Sequence, residues 1–229
     1  MNLLIFVFVV FLCKQGSGTT YQCDTNAPCG CSTPSTVLSR IVGGEEAARG
    51  SWSWAVSIRD RGSHFCGGSI ISPLFIITAA HCTDGMQNLD DITIQVGSIT
   101  LVPSSTNTAY QVRSIAEVYK HVDFDYFTFA NDIALLRLST PLNMTRGNLK
   151  PICLPTGNTV EPPNNINMIA VGWGYTSMTV EEVSPVLRQV TVQSIASATS
   201  ACQSIIENSE LQFCAGILAG GKGKIFIKK

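Results

Sequence analysis

Two segments of the 229-residue chain carry side chains suited to proton transfer. In residues 73–82 (PLFIITAAHC) an apolar run ends in two alanines and delivers His81 to a loop mouth beside Cys82. In residues 131–136 (NDIALL) Asp132 comes immediately before an apolar run, so the core beneath that run can partly desolvate its carboxylate. Taken singly, each has a plainer explanation, since a lone histidine is usually structural and an acid in this place can cap a turn. Cys66, in HFCGGSI, stands sixteen residues before Cys82. A Cys66–Cys82 bridge would close a loop around a strand pair and anchor the imidazole, a constraint worth roughly 3 kcal/mol of chain entropy.

The elements that must position these groups read as strands. Short β-branched apolar runs separated by turn residues predict strands over 54–58, 65–71, 75–79, 92–96, 110–118 and 133–138, enough for one closed barrel. Residues 141–165 hold five prolines and little pattern, as expected of a connector running over the surface. A second set of strands is predicted over 167–171, 187–195 and 211–215. A helix is predicted around 199–206, with Ser197 or Thr199 as its N-cap. Residues 19–40, dense in Cys, Thr, Ser and Pro without apolar period, read as a tethered loop segment.

Composition narrows the partners. Hydrophobic residues make up 45% and charged residues 14%, which suits a packed globular chain and argues against disorder. Fifteen Lys and Arg against sixteen Asp and Glu, scattered along the chain, provide no basic stripe for a phosphate backbone, so nucleic acid is not an expected partner. The apolar run 3–12, followed by Lys14 and by Gly16, Ser17 and Gly18, reads as a signal peptide ending near residue 18. It is about half the length a membrane span needs, so no membrane association is expected and the chain is expected to be secreted. Removing Cys13 with the signal leaves eight of nine cysteines, an even set that suits an oxidising compartment. The closest pair, Cys29-Gly-Cys31, lacks zinc-knuckle spacing, and residues 98–105 carry no carboxylate for calcium; neither a metal nor a cofactor is expected. Asn143-Met-Thr145 is a glycosylation sequon.

Together, TAAHC, NDIALLRL and Arg40-Ile41-Val42-Gly43-Gly44, in that order and spacing, resemble the trypsin/chymotrypsin serine peptidase family; HFCGGSI, PICLP and VGWG extend the likeness from residue 41 to about 222. The resemblance implies an all-β fold of two antiparallel six-stranded barrels of the chymotrypsin type, the second incomplete. The domain reading is a signal peptide over 1–18, a pro-segment over 19–40, an N-terminal barrel over 41–140, a connector over 141–165 and a partial C-terminal barrel over 166–229 with a divergent tail from 223. The resemblance makes His81 the general base and Asp132 the acid that orients its ring. It implies protein or peptide substrates, a monomer, and an activating protease that cuts between Arg40 and Ile41. It also pairs Cys153 with one of Cys23, Cys29 and Cys31, leaves the other two to pair together, and pairs Cys202 with Cys214.

One departure bears on activity. The family's Gly-Asp-Ser-Gly-Gly, which supplies the nucleophile and the oxyanion amides, is not in the sequence, and Ser69 in its predicted strand is no substitute. As written, the chain is expected to be inactive, with a non-catalytic secreted binding protein as the alternative. The divergence begins at Gly223-Lys224, a pair that can be encoded GGTAAG, and reads as continuation into an unspliced intron.

Overall fold

A computed structural model describes residues 19–22, 24, 26–31, 35–38, 44–155, 164–175, 182–204 and 206–216. Among the described residues, twelve strands and one short α-helix follow in order: β1 (Thr19–Gln22), β2 (Ser35–Leu38), β3 (Glu45–Glu46), β4 (Ala55–Asp60), β5 (Ser63–Ile70), β6 (Phe75–Thr78), β7 (Ile92–Val96), β8 (Gln111–Lys120), β9 (Ala134–Leu138), β10 (Asn167–Gly172), β11 (Arg188–Ile195), α1 (Ser200–Gln203) and β12 (Cys214–Gly216). The fold is all-β, as the sequence implied.

Strands β4 to β9 close a six-stranded antiparallel barrel in the order β4-β5-β6-β9-β8-β7, with β7 returning to β4. Within these apolar runs the burial alternates between the two faces. Along β9, Ala134, Leu136 and Leu138 point inward while Leu135 and Arg137 do not. Thirteen buried side chains fill the barrel, including Val56, Ile58, Ile76, Ile94, Leu136 and Leu138. Gly68 allows the close pairing of β5 with β6. A Cβ there would stand 2.8 Å from the Ile77 carbonyl oxygen and 3.0 Å from the Ile76 side chain.

A second antiparallel sheet runs β10-β11-β12, and the two-residue β3 pairs with the start of β11. The sequence reading missed β3, because two glutamates carry no strand signal; the pairing is made by Glu46 with Arg188 and Glu45 with Gln189. Glu45 and Glu46 therefore lie on the second sheet, although they fall within the 41–140 segment. Strands β1 and β2 also form an antiparallel pair within the segment read as a loop. Polar Thr and Ser runs give no apolar period, so strand pairing there was not legible.

The helix is a single turn, shorter than the 199–206 expected, and Thr199 is its N-cap, its hydroxyl accepting the Cys202 N–H. The strand expected over 211–215 starts late, at Cys214, because Leu211 belongs to a turn closed on Asn208. The two layers meet through hydrogen bonds to main-chain carbonyls. Leu187 N–H donates to the Ile99 carbonyl, Leu101 N–H to the Pro185 carbonyl, and Trp173 Nε1 to the Ile99 carbonyl at 2.9 Å.

Candidate active site

His81 is placed by the end of β6. After Thr78 the chain passes through Ala79 and the fully buried Ala80 into a 3-10 turn over Ala80–Thr83. Small residues are needed here because the turn packs directly on the barrel. The Thr83 hydroxyl donates to the Ala80 carbonyl at 2.7 Å, and the Cys66–Cys82 disulfide ties the turn back to β5. The imidazole stands at the barrel mouth, its side chain 43% exposed.

Asp132 arrives from the opposite direction, on the loop from β8 to β9. The Asp125 carboxylate accepts the Phe127 and Thr128 N–H groups, which holds its pKa below the usual carboxylate range. Asn131 lies in the left-handed region at φ 55° and its side-chain amide donates to the Asp123 carbonyl at 2.9 Å. Ile133 N–H then donates to the Asn131 carbonyl, a three-residue turn that aims Asp132 across to β6.

The carboxylate is fully engaged. Asp132 Oδ2 lies 2.7 Å from His81 Nδ1, and Oδ1 accepts the His81 backbone N–H at 2.9 Å. Only 6% of the Asp132 side chain is exposed. Two bonds from one carboxylate to the main chain and ring of the same residue fix the imidazole's position and direct the Nδ1 proton toward Asp132, leaving Nε2 as the basic atom. Phe129, at φ 53°, packs edge-on against the ring at 5.7 Å. Sequence reasoning did not single out Phe129, since nothing local distinguishes it from Phe124 or Phe127 in the same loop.

The other candidates fall as follows. Cys29 is the residue bonded to Cys153, and Cys202 is bonded to Cys214. Cys31 is buried and disulfide-bonded, while Cys23 lies outside the described residues. Arg40, Ile41 and the tail from 217 likewise lie outside them. Asn143 is exposed, and its Oδ1 accepts the Thr145 hydroxyl at 2.8 Å and the Thr145 and Arg146 N–H groups. Cys66, His81 and Cys82 gather within metal-binding distance of one another, but the two sulfurs are bonded to each other and present no thiolate. Ser69 is inside β5, paired with Ala55 and Ile77. His64 is partly buried, with Nδ1 2.8 Å from the Ser57 hydroxyl and its ring against Trp173. Burial, and then the Arg59 charge, pull its pKa down. His121 accepts the Asp123 N–H within its own loop.

A closed β-barrel with a histidine and a buried aspartate hydrogen-bonded across its mouth defines a class of serine peptidase scaffold. The Trypsin family model matches residues 41–225, and the chain belongs to that family. It is 35% identical over 211 residues to transmembrane protease serine 9 of Rattus norvegicus, a match that covers 91% of this chain and 19% of the relative, so the chain spans about a fifth of that protein's length. Among the described residues no helix is long and apolar enough to cross a membrane.

Proposed function

We propose that this chain is the scaffold of a secreted trypsin-like serine endopeptidase made as a zymogen, in which His81 is the general base and Asp132 orients it. The observation that carries the reading is the 2.7 Å bond from His81 Nδ1 to a buried Asp132 that also holds the His81 main chain. In acyl transfer, Nε2 would take a proton from an attacking serine hydroxyl and return it to the leaving amine, while Asp132 stabilises the imidazolium. Protein or peptide chains are the substrates, and cleavage between Arg40 and Ile41 by another protease is the activating step. The domain division runs as a signal over 1–18, a pro-segment over 19–40 held by Cys29–Cys153, a barrel over 41–140, a connector over 141–165 and a second unit from 166. The protein acts as a monomer without cofactor and carries a glycan at Asn143.

The 229 residues contain no Gly-Asp-Ser-Gly-Gly, so hydrolysis requires a serine from outside them. A polypeptide of these residues alone is inactive, because losing the serine of such a triad costs on the order of a million-fold in turnover. The test has two arms: the 229-residue polypeptide, cut after Arg40, and a chain extended with any serine-bearing segment that transcripts are found to encode. Turnover of a fluorogenic Arg or Lys substrate by the extended chain only, abolished by His81→Ala, is expected. Turnover by the shorter chain, or an extended chain indifferent to His81→Ala, would sink the assignment. If every transcript ends at Lys229, the non-catalytic binding protein is the surviving reading.

A further inference from the structure

Gln212 lies two residues before β12, in the segment that follows α1, and is 1% exposed. Its neighbourhood is clamped by the Cys202–Cys214 disulfide. The side chain reaches the β8–β9 loop, more than eighty residues away in sequence. Nε2 donates to the Thr128 carbonyl at 2.9 Å and the Phe129 carbonyl at 3.4 Å. Oε1 accepts the Glu207 N–H at 3.0 Å and the Asn208 N–H at 3.3 Å. Carbonyls on one side and N–H groups on the other leave a single orientation for the amide, and only a primary amide can serve both sides.

What Gln212 holds is the strained part of the loop. Phe129 has φ 53° and Asn131 has φ 55°. A left-handed aromatic residue persists only where its surroundings over-determine it. The Phe129 ring is the one that meets His81 edge-on, and Asp132 follows three residues later. We infer that Gln212 is a positioning residue: it latches the β8–β9 loop to the second half of the molecule, and so holds Phe129 against the His81 ring and Asp132 against its Nδ1. The inference rests on reading His81 and Asp132 as the proton-transfer unit, and it makes that unit, although built within the first barrel, dependent on the second half.

Proton NMR of the full chain reads this without any need for turnover. Wild type is expected to show a downfield, slowly exchanging His81 Nδ1 proton and a protected Gln212 side-chain NH2 pair. Gln212→Met keeps the length and removes all four bonds. Gln212→Glu keeps the acceptor for Glu207 and Asn208 but turns a carboxylate oxygen toward two carbonyls. Both should speed exchange of the His81 Nδ1 proton by about tenfold, the factor expected when roughly one hydrogen bond is lost. Val192→Ala, a buried truncation in β11, is the control that loosens the second sheet without touching the latch. Equal His81 signals in wild type and in both Gln212 variants would overturn the inference, as would a His81 change of the same size in Val192→Ala. Should the variants fail to fold, the wild-type Gln212 amide still decides: exchange as fast as that of an exposed glutamine rejects the latch. An extended, serine-bearing chain that does not hydrolyse while its His81 proton remains protected rejects the catalytic reading and leaves the latch standing.

Discussion

The barrel and the second sheet are held together by different means. In the barrel, β4 to β9 each have two strand neighbours and enclose thirteen buried side chains. In the second sheet, the buried cluster is Ala47, Trp173 and Leu187, with Trp52, Ala55, Ile99, Leu101 and Val171 packed against it. Several of those packing partners belong to the barrel side. So do the acceptors of the Trp173 and Leu187 N–H bonds, both made to the Ile99 carbonyl. The barrel supports itself by closure and apolar burial, whereas the described part of the second sheet leans on the barrel through a few polar struts. Buried glutamines do much of this work. Gln189 accepts from Trp52 Nε1 at 2.7 Å, and Gln212 joins the segment before β12 to the β8–β9 loop.

The sharpest way to break this contrast is to make the same truncation on each side. Leu136 is fully buried in the barrel and Leu187 is 1% exposed in the small cluster. Leu136→Ala should cost toward the upper end, and Leu187→Ala toward the lower end, of the roughly 2–5 kcal/mol range for buried leucines. Urea denaturation of the two variants measures this, and equal losses would refute the contrast. Opening the Cys66–Cys82 bridge by a double serine substitution comes next, at about 3 kcal/mol from a short loop. The loss should appear in the barrel's unfolding and in the His81 signal together.

A smaller effect is expected at a strut. Gln189→Leu leaves the Trp52 Nε1 donor without its acceptor and should cost about 1–3 kcal/mol, seen as faster amide exchange in β10 and β11 with β7 and β9 unchanged. Faster exchange in both sheets alike would mean that they open as one unit.

The smallest effect is a pH dependence at the junction. His64, packed on Trp173, has its pKa held below the ordinary 6.5 by burial. The unfolded chain therefore takes up this proton first as pH falls, so the contribution to stability is complete above about 6.5 and is lost as pH drops below it. Thermal melting of the wild type between pH 7 and 5 should show the decline, and His64→Gln should flatten it. An unchanged slope in the variant would assign the decline to other groups.

Much of this architecture was legible in the chain itself. Short β-branched apolar runs bounded by turn residues, such as Ile92-Thr-Ile-Gln-Val96 and Ala134-Leu-Leu-Arg-Leu138, are a local property of the chain, and they located all six barrel strands to within two residues. His81 and Asp132 were also visible, since each ends or begins such a run. Local pattern is silent where pairing is decided by distant partners. Nothing in Glu45-Glu46 announces a strand; it exists because the start of β11, at Arg188 and Gln189, pairs with it. The choice of Cys29 for Cys153 depends on how close residues 124 apart come in space. The length of the Gln212 side chain matters only once the segment before β12 lies against the β8–β9 loop. The sequence by itself determined which segments become the barrel strands and which titratable side chains stand at their ends. Tertiary structure decided that Asp132 reaches His81 across 51 residues, and which buried amides hold the two sheets in the arrangement that lets it do so, because hydrogen bonds between remote groups form only after the apolar faces have packed.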